Sequence, residues 1–298
     1  MTFDRLNPTT TTTLDDAFDR LGSSGFELPN GFVNHGPMAC EALAALGCDD
    51  ELDRWARRFA RYGGTPVDPV VPRDFEWREA LGDRGYLPEW IGFFQRAIED
   101  DGWPSVVAAW VPRLLPGLAV ALFHGAIRAA HAVRAIDESD TSPRRAELAR
   151  ALGYWASRFT PGAPVVRVDV GEDLRLAIIG AAADGARHYL AHPGIVELHG
   201  VTGAMAVELF APHMPADAVA SGLAQVLAEH NRLYRSTRPV DAPAPVGVRQ
   251  AELVRAAVTS QDPHQVKLVE ACLRGAVATG NPAFAAAAQR VTGTSVTT

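Results

Sequence analysis

The strongest constraint on this fold is its helical punctuation. Apolar residues recur at three- and four-residue spacing, and the stretches that do so begin at or near a proline. Pro37, Pro88, Pro104, Pro116, Pro143, Pro215, Pro263 and Pro282 all stand at such starts. Proline suits a helix's first turn because the N–H it lacks would be unpaired there anyway. The spacing therefore predicts helices at 34 or 37–46, 51–62, 74–81, 88–98, 104–111, 143–159, 173–191, 195–210, 215–234, 249–259, 263–277 and 282–291. Pro116 is expected to start a long central helix running to Ile136. Thr13 and Asp16 make a capping box for a first helix through Leu21, and Asp49 is placed to cap the helix that begins at Glu51. Residues 22–32, 65–72 and 137–142 read as loops, 164–170 as an extended connector and 236–246 as a linker. The fold class expected is all-α: a single compact multi-helix domain over 13–298, with residues 1–12 as a flexible N-terminal segment and an internal metal site between helices.

Charge excludes several function classes. The net charge is −7 and no Lys/Arg-rich run exists, so nucleic acid has no electrostatic footprint here. The most apolar stretch, Val106 to Ile136, is interrupted by Pro112, Arg113, Pro116, His124, Arg128, His131 and Arg134, which is too much charge for a membrane span. No apolar leader follows Met1, and the expected location is cytoplasmic. Cys40, Cys48 and Cys272 lack metal-ribbon spacing and read as reduced thiols.

Lys267 is the chain's only lysine; every other basic residue in the count of 28 is arginine. Arginine keeps its proton in a protein, whereas a buried lysine can become a neutral amine. Such an amine can act as nucleophile or base, or capture carbon dioxide as a carbamate. Lys267 lies three residues after His264 on the predicted 263–277 helix, so the two share a face. Of the nine histidines, His35, His124 and His199 are each followed by glycine, which leaves room for a ligand or for close helix packing. His124, Arg128 and His131 recur at i, i+4 and i+7, and His131 reads as a core partner. His188 and His192 end a helix and read as capping or surface residues, as do His213 and His230 as surface residues. His35, His124, His199 and His264, with Lys267, come from four separated helices, which is how helical folds build internal metal sites. Imidazole suits iron, copper, nickel and zinc. No dinucleotide fingerprint or P-loop is present.

The segments Asn34-His35-Gly36-Pro37-Met38, Phe123-His124-Gly125 through Arg134, His199-Gly200-Val201-Thr202-Gly203 and Asp262-Pro263-His264-Gln265-Val266-Lys267 together resemble the questin oxidase-like family. That resemblance implies an oxygenase of polyketide-derived anthraquinones that opens a quinone ring. It implies iron(II), or another divalent transition metal, held by His35, His124, His199 and His264 with a carboxylated Lys267, and dioxygen as co-substrate. Met205 stands where the family pattern has a further histidine. A small aromatic or polyketide-like molecule is the expected partner, with Tyr62, Trp90, Phe93 and Phe94 as candidate walls. Two other readings stand beside it: a flavin- or NADPH-dependent Baeyer–Villiger monooxygenase, and a helical small-molecule-binding protein without catalysis.

Overall fold

Thr13 begins the described chain as the expected capping box. Its amide donates to the Asp16 carboxylate at 2.9 Å, and the Asp16 amide donates back to its hydroxyl at 3.2 Å. The computed structural model describes residues 13–28, 30–165, 173–242 and 249–294. Its helices are α1 (Leu14–Gly22), α2 (Gly36–Ala45), α3 (Leu52–Tyr62), α4 (Trp77–Ala80), α5 (Leu87–Asp101), α6 (Trp103–Leu114) and α7 (His124–Glu138). They continue as α8 (Ser142–Ser157), α9 (Leu174–Ala191), α10 (Ile195–Phe210), α11 (Ala216–Leu233), α12 (Gln250–Ser260), α13 (Pro263–Thr279) and α14 (Pro282–Thr292). Among the described residues there is no β-strand, only an isolated bridge between Glu27 and Val33. The helices share one hydrophobic core. No described helix is long and apolar enough to cross a membrane. The N-terminal segment 1–12 lies outside the described residues, as do most of the 164–170 connector and the end of the 236–246 linker.

The expected central helix from Pro116 is the largest departure. Leu115–Gly117 forms only a 3₁₀ turn, and Ala121, Leu122 and Phe123 then take left-handed backbone angles, φ 48°, 55° and 65°. Three successive non-glycine residues in that region are strained, because Cβ crowds the following carbonyl. Packing holds them there. Phe123 is fully buried, and its ring fills the notch at Gly203, where a Cβ would lie 2.4 Å from it. The helix restarts at His124, which makes that histidine the first residue of α7. Other departures are small: α4 is shorter than 74–81, and Asp49 lies within a 3₁₀ turn (Asp49–Glu51) instead of capping α3.

Four helices, none adjacent in sequence, run side by side in the same sense. His35, His124, His199 and His264 meet near the starts of α2, α7, α10 and α13. Glu41, Arg134, Glu208, Glu270 and Arg274 meet one another further along the same helices. The intervening helices are the crossovers that a parallel arrangement requires.

Candidate metal centre

Local sequence sets each histidine at a helix entry. Asn34 accepts from the Gly36 amide at 3.0 Å and donates to the Gly25 carbonyl, which fixes His35 as the N-cap of α2. Asp262 caps α13 by accepting from the His264 amide at 2.9 Å, as its position before Pro263 predicts. His199 lies on the second turn of α10. One ligand atom from each of the four imidazoles falls within 4.8 Å of the others, so the group could hold a metal ion.

The second ring nitrogens decide what these imidazoles offer. His199 Nδ1 donates to the Ile195 carbonyl at 2.7 Å, and His124 Nδ1 donates to the carbonyl of Ala121 in the left-handed turn. His264 Nδ1 faces the Asp262 carboxylate at 3.1 Å. A nitrogen that donates to a carbonyl carries the proton, so Nε2 of His124 and His199 each present a lone pair. These two Nε2 atoms face each other at 3.1 Å, and His124 Nε2 also lies 2.8 Å from His35 Nε2. Two lone pairs at that distance repel unless a cation lies between them. Protonation is disfavoured: burial first, then the Lys267 charge, pulls His35 and His199 well below the usual imidazole range and His124 to about 3. Burial also lowers His264, with Asp262 opposing it. The donor set therefore fits a metal ion.

Lys267 lies close enough for its charge to act on all four imidazoles. It is 1% exposed, and among the described residues its Nζ has no hydrogen-bond partner. Burial pushes its ammonium down to about 7, with Asp262 the only counterweight. Near neutrality, therefore, a large share of the side chain is free amine. Helix starts are the positive ends of helix dipoles, and several converge here, which adds to the cost of an ammonium at this position.

Beyond this group, the same helices carry a buried ion network. Glu41 accepts from Arg134 at 2.6 Å and is paired with His131; Glu270 is held by Arg134 and Arg274, and Arg274 also holds Glu208. The structure thus separates the two α7 histidines, with His124 in the metal group and His131 in the network. Arg128, between them, turns to Glu147 of α8. Burial alone would raise the Glu41 and Glu270 carboxyls, but the guanidinium charges outweigh it and hold both below the ordinary 4.5. A carboxyl depressed on folding stabilises the fold above its unfolded value and ceases to do so as pH falls through the folded one. Urea midpoints should thus be insensitive to these groups between pH 7 and about 5 and drop below about 4.5. Glu41→Gln should be less stable at pH 7 and show a shallower acid limb. A midpoint that rises on acidification would contradict this assignment.

The glycines after the histidines serve packing. A Cβ on Gly36 would lie 2.6 Å from Leu21, one on Gly125 2.9 Å from Trp155, and one on Gly200 1.8 Å from the Tyr234 hydroxyl. Gly200→Ala should therefore cost about 1–3 kcal/mol of stability by overpacking. Tyr234→Phe alone should be close to neutral, because that hydroxyl is buried without a partner, and it should recover part of the Gly200→Ala loss. Denaturant midpoints of the two single variants and the double variant measure this.

Two histidines read as surface are buried. His230 Nε2 donates to the Gly200 carbonyl at 3.0 Å, and His188 stacks on Tyr234 with ring centroids 4.1 Å apart. Neither joins the metal group, and both were hidden because polar neighbours in sequence mask a tertiary contact. Trp90, Phe93 and Phe94 pack with Phe75 and Trp110 in one aromatic cluster, and among the described residues no ring of it contacts the four histidines. The Tyr62 side chain lies outside what is described. His264, the least buried of the four, marks the solvent side of the group, at the α12–α13 turn that Arg58 ties down through the Gln261 carbonyl at 2.6 Å. A groove of about 1040 Å³ lies elsewhere and is lined by none of the four histidines.

An all-helical protein with a buried four-histidine group is thus defined by its geometry. The sequence pattern of the questin oxidase-like family matches residues 32–139 and supports the resemblance carried by the motifs. The matched segment holds His35 and His124; His199, His264 and Lys267 lie beyond it. That family suggests an oxidoreductase, an oxygenase acting on polyketide-type compounds. No curated protein matches the chain.

Proposed function

We propose that this chain is a mononuclear non-heme iron oxygenase that oxidises or cleaves a polyketide-derived aromatic compound. The ligands are Nε2 of His124 and His199, ring nitrogens of His35 and His264, and a carbamate oxygen on Lys267. The observation that carries this reading is the facing of His124 and His199 lone pairs at 3.1 Å with both Nδ1 atoms committed as donors. Bound iron(II) would supply an electron-donating position for dioxygen beside the substrate.

The chain's own residues do the rest. The Ala121 and Ile195 carbonyls hold two rings in the tautomer that points Nε2 inward, and the Asp262 carboxylate orients the third. Lys267 as free amine attacks the carbon of carbon dioxide; an N–C bond forms as one C=O π bond opens onto its oxygen, the nitrogen loses one proton to solvent, and an anionic carbamate oxygen stands where the neutral amine was. The surrounding apolar core excludes water. The aromatic substrate approaches from the side of His264, the least buried of the four histidines. A Baeyer–Villiger enzyme of the flavin or NADPH type has less support, since the described residues contain no β-α-β nucleotide-binding unit.

Oxygen uptake tests the reading. Protein reconstituted with iron(II) should consume dioxygen together with a hydroxylated anthraquinone, without added NADPH or flavin. Turnover that requires NADPH or flavin and ignores the metal would replace this reading with the Baeyer–Villiger one. Tight binding without turnover would leave a binding protein.

A further inference from the structure

The groove of about 1040 Å³ lies between α2, α12 and α13, some 10 Å along α13 from Lys267, the rise of the seven residues to Arg274. Its size suits a drug-sized organic molecule. Leu46, Val254, Val258, Leu273 and Val277 give it apolar walls, and Val277 is 77% exposed. Four arginines also line it: Arg134, Arg175, Arg255 and Arg274.

Charge in this groove is unevenly presented. The carboxylates that pair with the arginines are withdrawn: Glu41, Glu208 and Glu270 have side chains only 3%, 3% and 5% exposed. The guanidinium side is more open, at 21% for Arg134, 20% for Arg274 and 53% for Arg175. Arg255 is exposed and, among the described residues, makes no ion pair or hydrogen bond, only a longer-range influence on Glu252. On the opposite rim stand Asp50 and Glu51, the latter already paired with Arg54. Glu270 also lines the groove, but an occupant meets mainly apolar walls, the exposed faces of three ion-paired arginines and the unpaired Arg255.

We infer that this groove is a second small-molecule site, for an amphipathic organic anion with a ring-sized apolar body and a carboxylate or sulfonate head. The head sits against Arg255 and the open faces of Arg175 and Arg274, where charge-assisted hydrogen bonds are available. The body covers Val254, Val258 and Val277. This inference does not depend on what the histidines hold.

Fluorescence titration with 1-anilinonaphthalene-8-sulfonate tests it on the full-length, natively folded chain. The native chain should bind the sulfonate saturably at one site. Its uncharged counterpart, N-phenyl-1-naphthylamine, should bind on the order of tenfold more weakly. Arg255→Glu and Val277→Glu change exposed residues and should each weaken sulfonate binding on the order of tenfold. Arg145→Glu on α8 makes the same charge change away from the groove and should leave binding unchanged. Rising salt should weaken binding of the sulfonate alone. Absence of saturable binding, or equal affinity in the native chain and both groove variants, would overturn the proposal.

Discussion

Alanine at any one of His35, His124, His199 or His264 should strip the metal and the activity together. Residues that merely support a metal ligand typically cost roughly 10–100-fold in affinity or activity when lost, so removing a ligand should cost at least that. The effect should be steepest for His124, whose Nε2 contacts both His35 and His199. His264→Ala, at the partly exposed edge, should retain the most metal, because water can take the vacated position there. His213→Ala serves as a silent control, since among the described residues its ring partners are Trp103 and the exposed Asp137, neither in the histidine group. His188→Ala is a different control: it loses a stacked ring against Tyr234, so it should lower stability while metal content stays at the native level. Native metal occupancy in two of the four ligand variants would remove the site.

Lys267→Arg should lose activity nearly as fully as Lys267→Ala. Arginine has similar length and charge but cannot become a free amine, so it can form no carbamate. It would also drive a permanent cation toward the metal, in a pocket already set against positive charge by converging helix starts. Lys267→Glu restores an anionic oxygen on a shorter arm and should keep part of the metal. Lys267→Met separates structure from chemistry: without metal it should fold at least as stably as the native chain, because an orphaned buried amine is replaced by an apolar group of similar length. A fully active Lys267→Arg enzyme would eliminate the carbamate and leave at most a four-histidine site. Carbon-13 NMR with labelled bicarbonate reads the carbamate directly at neutral pH.

Helix content was legible because it is local. Proline and Asx starts, glycine ends and the apolar period agree with one another, and the helices from Thr13 and Asp262 begin where their caps predict. The histidine group was legible through its motifs and through the lone lysine, a compositional anomaly that needs no structure to notice. What escaped was tertiary. Residues 118–123 contain no glycine or proline to signal the break before His124, because the strain is carried by Phe123 fitting against Gly203, eighty positions away in sequence. The parallel sense of α2, α7, α10 and α13 is set by the crossovers between them and has no sequence signature. The burial of His188 and His230 depends on Tyr234 and Gly200, which no local period links to them. The glycines that follow His35, His124 and His199 left two readings open, ligand room or packing, and only the neighbours of the missing Cβ decide for packing.

Four imidazoles from four helices should enclose one metal ion. Anomalous diffraction at the iron edge, from crystals of iron(II)-reconstituted protein grown without oxygen or a polyhistidine tag, tests it most directly. The account predicts a single strong peak per chain, about 2.0–2.2 Å from Nε2 of His124 and of His199 and in reach of His35, His264 and Lys267. No peak among these residues, or a peak held by other side chains, would contradict it.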